Sequence, residues 1–321
     1  MSERNIRLGL IGAGRWGRNI IRTCGELSGI TLARVASSNP ETRTLVPPGT
    51  LVMEDWRELL NPNDVHGVMI ASPATQHFTI ARETIASGIP VMVEKPLTMS
   101  LGEAVTLKRV ASMGQALVLV NHVHLVHPAY RAIKELCGAV GAVRAIRSHA
   151  GNWGPFRAEV PVLWDYGPHD VAMAIDLLDG EPEYVSAVEV ERRETPEGIG
   201  QSLDLRCEFP GEVDVRIRLS NLLPEKRRTF AVHFDTLVMV YDPLRPGSAL
   251  TIHPATDGFA DPTGPGQPIE LPDEQPLANA IMTFAMAIAG NVDDPGSLNL
   301  GVDVVATLSR CQAKLDGKDA S

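Results

Sequence analysis

The chain has 321 residues, which is longer than one hydrophobic core usually supports, so two domains are expected. Its composition is that of an ordinary globular protein, and its net charge of -10 argues against a nucleic-acid partner, because phosphate binding requires a cationic surface. The sequence shows no apolar run of about 18 residues, no secretory signal and no CxxC pair among its four cysteines. These features exclude a membrane span and favour a cytoplasmic protein with reduced thiols.

Strand and helix patterns alternate through the first part of the chain at the spacing of βαβ units. The predicted strands are Ile6–Ile11, Thr31–Ser37, Gly67–Ala71, Val91–Val93 and Ala116–Val120, and the predicted helices are Arg15–Leu27, Gln76–Ser87 and Leu101–Ser112. This alternation predicts a doubly wound parallel sheet covered by helices on both faces.

After a helix predicted at Pro128–Leu136, apolar and polar residues alternate as in an antiparallel sheet with one covered and one open face. The predicted strands are Val143–His149, Glu183–Glu191, Leu203–Phe209, Val213–Leu219, Thr229–Phe234 and Leu237–Tyr241. The proline-rich stretch 242–276 is expected to be a surface loop with little regular strand, followed by helices at Leu277–Ala289 and Leu300–Leu315. We therefore expect two domains, 1–122 and 123–321, the second an α+β domain with a large open sheet.

A glycine-rich turn joins the first strand to the first helix. It reads Gly12-Ala13-Gly14-Arg15-Trp16-Gly17. In such a turn the first glycine permits the bend, the second lets the backbone approach a pyrophosphate, and the third lets the helix pack on the strand. The helix N-terminus then faces the phosphates. The turn, with Arg15 and Trp16 inside it, predicts a Rossmann domain at residues 1–122 that binds a dinucleotide cofactor.

The residues after the second strand bear on the choice between NAD and NADP. An NAD site usually has an acidic residue there, whereas this chain has Ser37, Ser38 and Asn39, with Arg43 a turn later. The absence of an acid in that segment, together with hydroxyls and a guanidinium, favours binding of a 2′-phosphate. We expect NAD or NADP as cofactor, with NADP favoured; plain NAD is the alternative if Arg43 is only a solvated helix residue.

Three further segments extend the pattern beyond a generic dinucleotide domain. They are Ser72-Pro73-Ala74-Thr75-Gln76-His77, Gly88-Ile89-Pro90-Val91-Met92-Val93-Glu94-Lys95-Pro96 and Trp164-Asp165-Tyr166-Gly167-Pro168-His169-Asp170. In this order, and with the glycine turn, the chain resembles the glucose–fructose oxidoreductase, inositol dehydrogenase and MocA (Gfo/Idh/MocA) family over roughly residues 6–190. The last segment is similar to that of members found in sugar-nucleotide and polysaccharide biosynthesis.

The resemblance implies an NAD(P)-dependent oxidoreductase acting on a sugar, a cyclitol or a sugar nucleotide. It implies that Ser72, Pro73 and His77 line the nicotinamide side of the cofactor and that Glu94 lies near the nicotinamide ribose. It also implies a catalytic group formed by Lys95, Asp165 and His169.

These residue types suit the oxidation of a secondary alcohol, in which the cofactor accepts the hydride and the protein supplies a base. His169 is the best base, because its ordinary pKa lies near working pH, and Asp165 falls on the same helix face one turn earlier. Lys95 follows a parallel strand, where its ammonium would stabilise a developing alkoxide. Taken singly, the lysine is equally well a solvated loop residue, and the aspartate and histidine an ordinary helix pair.

Three histidines crowd the segment between the domains. His122 and His124 would share one face of a strand, which suggests zinc, but no third ligand stands at suitable spacing and we expect no metal. A substrate-lining role is favoured for both. Asn152 and Trp153 are further candidates for contact with a sugar ring, with loop packing as the alternative.

The open sheet face of the second domain is expected to form a homodimer or homotetramer, with Val185, Val188 and Val190 among its outward residues. Two other functions remain open at this point. One is a glycosidase that retains its cofactor, and the other is a non-catalytic protein that responds to NAD(P).

Overall fold

A computed structural model describes residues 5–290 and 297–318 of the chain. Its strands are β1 Ile6–Ile11, β2 Ile30–Ala36, β3 Leu51–Met53, β4 Gly67–Ile70, β5 Val91–Glu94, β6 Val118–Asn121, β7 Ala145–Trp153, β8 Tyr184–Thr195, β9 Gly198–Phe209, β10 Val213–Ser220, β11 Leu222–His233, β12 Leu237–Tyr241, β13 Leu250–Pro254 and β14 Gln267–Pro268. Its α-helices are α1 Arg15–Glu26, α2 Thr42–Leu45, α3 Ala74–Ala86, α4 Leu101–Gly114, α5 Pro128–Val140, α6 Val162–Leu178, α7 Pro276–Ile288 and α8 Ser297–Leu315. None of the described helices is long and apolar enough to cross a membrane.

The chain forms two compact units. The first comprises Met1–Val123 and Gln275–Val305, and the second comprises His124–Glu274 and Ala306–Ser321. The limits expected from the sequence differ from this division at the C-terminal end, because they assign both closing helices to the second domain. The structure instead places α7 in the first unit and divides α8 between the two units.

The first unit is a parallel six-stranded sheet in the order β3-β2-β1-β4-β5-β6, which confirms the predicted doubly wound class. Strands β4 and β5 are buried along their whole length, as expected for strands covered on both faces. Helix α7 completes this core with Ile281, Phe284 and Ala285. The Phe284 ring of α7 packs so closely on Gly67 of β4 that a Cβ at this glycine would lie 2.9 Å from it.

The second unit is an eight-stranded sheet in the order β14-β13-β12-β11-β7-β10-β9-β8. The pairing is antiparallel except between β7 and β10, so the predicted open, mostly antiparallel sheet is confirmed. Helix α6 lies on one face, where Asp170 accepts a 2.7 Å hydrogen bond from Ser148 of β7.

The stretch 242–276, expected to be surface loop with little regular strand, contains the two short strands β13 and β14. Strand β13 carries buried Leu250 and Thr251 and pairs along its whole length with β12. The prolines that suggested a loop stand where they cost no ladder bond: Pro254 ends β13, and Pro268 lies on the edge strand. Val185 is a second correction, since it is buried, whereas Val188 and Val190 are exposed.

Candidate active site

Each glycine of the turn after β1 meets a different steric demand. Gly12 has a φ of +98°, and a Cβ there would lie 2.6 Å from the Ser72 backbone nitrogen. A Cβ on Gly17 would overlap the Gly12 carbonyl oxygen, so this glycine lets α1 pack against the turn. Gly14 caps the helix, and a Cβ there would meet no atom within 4 Å. The open space above Gly14 is where a ligand's phosphates would approach the helix N-terminus.

A cavity of about 770 Å³ opens beside this turn. Of the predicted cofactor residues, its lining includes Gly12, Gly14, Arg15, Ser37, Ser38, Asn39, Ser72 and Pro73. The Ser72 hydroxyl is buried and has no hydrogen-bond partner within the described residues, so a bound ligand would supply one. The glycine turn and this hydroxyl therefore fit a dinucleotide.

Sequence reasoning missed several polar residues of the cavity. The additional polar and aromatic lining residues are Arg18, Asn19, Glu54, Trp56 and Gln76. Arg18 lies one helical turn after Gly14, and its guanidinium is 3.6 Å from the Glu41 carboxylate. Helical periodicity is the one sequence signal that could have found Arg18, because residue 18 lies on the same helix face as residues 14 and 15.

The other predicted cofactor residues are not part of this lining. They are Trp16, Gly17, Arg43, His77, Glu94 and Lys95. Arg43 lies on the exposed side of the short helix α2, so the arginines beside the cavity are Arg15 and Arg18 rather than Arg43.

Glu94 ends β5 as a buried carboxyl held by two N–H donors. Its Oε1 accepts hydrogen bonds from the Trp16 indole and, at 2.5 Å, from the Asn121 amide. Asn121 stands opposite Glu94 in the β5–β6 register, which explains the contact. Burial raises the Glu94 pKa to about 7 despite these donors. Trp16 thus joins the glycine turn to the strand end that precedes Lys95.

His77 is buried between two backbone carbonyls and does not face the cavity. Its Nδ1 lies 2.8 Å from the Pro96 oxygen, and its Nε2 lies 3.0 Å from the Ser72 oxygen. Burial, opposed by these carbonyls, lowers the His77 pKa. A neutral ring donates to only one of the two carbonyls. The side chain therefore links the segment after β4 to the segment after β5.

In the second unit, α6 carries the predicted pair one turn apart. The His169 ring packs edge-to-face against the His124 ring at a centroid distance of 4.7 Å. Asp165 lies in the first turn of the helix, with its carboxylate 3.5 Å from Arg157. Both predicted side chains thus project from one helix of this unit, while Lys95 belongs to the first unit.

Asp170, next to His169, is a residue whose role the sequence did not reveal. Its side chain is fully buried, accepts from the Ser148 hydroxyl and lies 3.3 Å from Arg228 of β11. This buried pair ties α6 to two strands, and it fixes the stretch of helix that carries His169.

Strand β6 ends at Asn121, so the histidine segment that follows it is not part of a strand. His122 is buried in the first unit, whereas His124 belongs to the second unit and lies 2.7 Å from the Tyr241 hydroxyl. His127 accepts from the Ala129 N–H and caps α5. The expectation that His122 and His124 share a strand face is therefore wrong. Across residues 5–290 and 297–318, no three metal-binding side chains converge.

Asn152 and Trp153 end β7 near α6. The Tyr166 hydroxyl of that helix donates to Asn152 Oδ1 at 2.8 Å, and Asn152 donates to the backbone carbonyl oxygen of Trp153. The Trp153 ring is half exposed and packs on Phe156. Asn152 is thus engaged in shaping its loop, while Trp153 presents an aromatic face to solvent.

Two family models together match most of the chain. Residues 6–122 match an oxidoreductase family with an NAD-binding Rossmann fold, and residues 130–238 match the GFO/IDH/MocA C-terminal domain.

Named relatives carry the same likeness. UDP-N-acetylglucosamine 3-dehydrogenase of Acidithiobacillus ferrooxidans is 27% identical over 195 residues, which cover 58% of each chain. Inositol 2-dehydrogenase of Klebsiella pneumoniae strain 342 is 32% identical over 156 residues, covering 44% of this chain and 45% of that one. The chain thus spans about half the length of the curated relatives it matches. A crystal structure from Magnetospirillum magnetotacticum MS-1, described as an oxidoreductase, is 41% identical with a TM-score of 0.90, covering 95% of this chain and 99% of that one.

Proposed function

Because the chain belongs to the Gfo/Idh/MocA oxidoreductase family, we propose that it transfers a hydride between NAD or NADP and a secondary alcohol or ketone of a sugar, cyclitol or sugar nucleotide. The observation that carries this proposal is the arrangement of three strand ends in the parallel sheet. The glycine turn follows β1, Ser72 follows β4 and Lys95 follows β5, and these strands are neighbours. Open parallel sheets bind their ligands at this edge.

Each residue of the proposed mechanism has one task. A bound NAD or NADP would supply the hydride acceptor, and His169 takes the proton of the substrate hydroxyl. The Lys95 ammonium stabilises the alkoxide character that develops on the substrate oxygen. Asp165 orients the imidazole or shares the hydroxyl, and its carboxylate lies 3.5 Å from the Arg157 guanidinium. His122, His124, Asn152 and Trp153 remain candidates for lining the substrate.

The preference for NADP is also part of the proposal. Ser38, Asn39 and Arg18 line the cavity beside the end of β2 and would bind a 2′-phosphate, while Glu54 and Glu41 lower the positive potential there. We expect a smaller Kd for NADP than for NAD in a fluorescence titration of the full-length protein. A smaller Kd for NAD than for NADP would contradict this preference and identify NAD as the cofactor.

The function is tested by screening NAD and NADP against a panel of sugars, inositols and UDP-sugars. We expect one alcohol to reduce the cofactor stoichiometrically, as measured by nicotinamide absorbance. Lys95→Ala and His169→Ala should each lower kcat about 100-fold or more, and His169→Ala should leave the cofactor Kd nearly unchanged. Near wild-type turnover in both variants, or glycoside cleavage without net redox change, would contradict the proposal. The cytoplasmic location stays a prediction from the sequence.

A further inference from the structure

In the second unit the proposed base His169 belongs to a cluster with His124, His127 and Tyr241, and the proposed mechanism gives no task to the contacts within it. All four side chains belong to this unit, and they come from α5 with its preceding segment, from α6 and from β12. The contacts within this histidine–tyrosine cluster bear on the orientation of the His169 imidazole, the proposed base.

The first contact restrains the His169 ring. The His124 and His169 rings are perpendicular, with an interplanar angle of 90° and a centroid distance of 4.7 Å. The χ2 torsion of a histidine is broad, so a ring without close neighbours samples a wide range of orientations. A perpendicular ring at contact distance confines that range, and the His169 imidazole is therefore held in one orientation by His124.

The second contact fixes the proton on His124. The Tyr241 side chain is fully buried, and its hydroxyl lies 2.7 Å from His124 Nδ1. Burial raises the Tyr241 pKa well above its ordinary value, so the hydroxyl keeps its proton. A buried O–H requires an acceptor, and within the described part of the chain His124 Nδ1 is the atom in reach. Tyr241 therefore donates to Nδ1, and the His124 proton resides on Nε2.

The third contact holds the tyrosine itself. The His127 ring packs against the Tyr241 ring at a centroid distance of 4.9 Å, while the Nδ1 of His127 accepts from the Ala129 N–H. The His127 ring is thus anchored at the start of α5, and it packs against one side of the Tyr241 ring.

We propose that His124, held by Tyr241 as the neutral Nε2–H tautomer, is a positioning residue for His169. It fixes the orientation of the His169 imidazole and stays uncharged when His169 takes the substrate proton. Protonating His124 at Nδ1 would reverse the Tyr241 hydrogen bond and leave the buried hydroxyl proton without its acceptor. It would also place two positive rings in contact. This inference rests on the proposed function.

Nitrogen NMR of the full-length protein labelled with ¹⁵N-histidine reads the tautomer without any substrate. His124 is assigned by the signal lost in His124→Phe. We expect an unprotonated Nδ1 and a protonated Nε2 at neutral pH, and loss of this fixed tautomer in Tyr241→Phe, which removes one oxygen atom. A proton on Nδ1, or a charged His124 ring, in the wild-type protein would overturn the inference.

Kinetics with the best alcohol of the screening panel test the positioning role. Tyr241→Phe should lower kcat about tenfold, with KM and cofactor Kd changed less than about twofold, because orientation of the base matters only in the chemical step. His124→Phe, which removes the positioning ring itself, should lower kcat at least as much. Tyr184→Phe is the matched control: it removes the same oxygen atom from an exposed tyrosine of β8 outside the cluster, so kcat should stay near wild type.

The same assay separates failure of this inference from failure of the proposed function. If Tyr241→Phe and His124→Phe keep wild-type kcat while His169→Ala loses turnover, the base stands and the positioning role is wrong. If His169→Ala keeps turnover, the proposed base is wrong, and the positioning role falls with it whatever tautomer the NMR spectrum reports.

Discussion

The Glu94 carboxyl makes the stability of the first unit depend on pH. Its pKa is raised by burial from an ordinary 4.5 to about 7, so the folded state retains a proton that the unfolded chain releases near pH 4.5. The free energy of unfolding therefore falls as pH rises between these two values and stays at the lower level above pH 7.

Glu94→Gln removes this dependence, because its amide oxygen still accepts from Trp16 and Asn121 without carrying a charge. We expect the variant to be more stable than wild type above pH 7 by a few kcal/mol at most, and nearly equal to it at pH 4.5. Urea unfolding at pH 5 and pH 8 measures the difference, with Glu225→Gln at an exposed position as the control. An unchanged pH dependence in Glu94→Gln would disprove the assignment.

Sequence motifs single out residues by their type and order, such as Gly12, Lys95 and His169, and the catalytic roles of the last two stay predictions. The motifs do not reveal Asn121 as the partner of Glu94, because that contact depends on the register between β5 and β6. The motifs also do not reveal that the His77 ring is buried between two backbone carbonyls, because the spacing of a motif does not specify which groups surround a side chain.

Helix α6 is held on the second sheet by a buried ion pair, and this pair is expected to govern its stability. Removing one partner leaves the other charge buried, which typically costs about 3–5 kcal/mol. Asp170→Asn should therefore strongly lower the free energy of unfolding measured in urea. Asp235→Asn breaks the exposed ion pair with Arg144 and serves as the control, for which little change is expected. Equal effects of the two substitutions would contradict this account of α6.

Elements with strong periodicity were predictable, and short or proline-flanked ones were not. Strand β3 has only three residues, too few to show an alternating pattern. Strand β13 is flanked by prolines that argue for a loop in the sequence, yet its pairing with β12 satisfies its backbone. Both strands form because they pair with a neighbouring strand, and a short stretch of sequence read by itself carries no information about that pairing.

The open face of the eight-stranded sheet is expected to pair with the same face of a second copy. On this face Asp204 pairs with Arg218 and Asp214 pairs with Arg206, so the face carries charges of both signs that are already balanced within one chain, and Val188 is 59% exposed opposite Asp204. Val188→Asp should shift the protein to a smaller species in light scattering coupled to size exclusion. Val105→Asp, at an exposed position of the first unit, is the control. Identical masses for wild type and Val188→Asp, both larger than a monomer, would exclude this face.

Domain limits were the least predictable feature of the whole molecule. The sequence puts the first limit between residues 122 and 123, and the structure divides the chain after Val123. No local signal tells that α7 packs on the first sheet, because an apolar helix at the end of a chain suits either unit equally.

The division of the first unit between two distant stretches of chain has a consequence for biosynthesis. All six strands of its sheet leave the ribosome long before α7, so the surface that Ile281 and Phe284 cover stays bare while the intervening residues are translated. A nascent or truncated chain ending near residue 123 exposes that apolar patch to other chains. Release of the last part of the polypeptide is therefore the event that lets this core close.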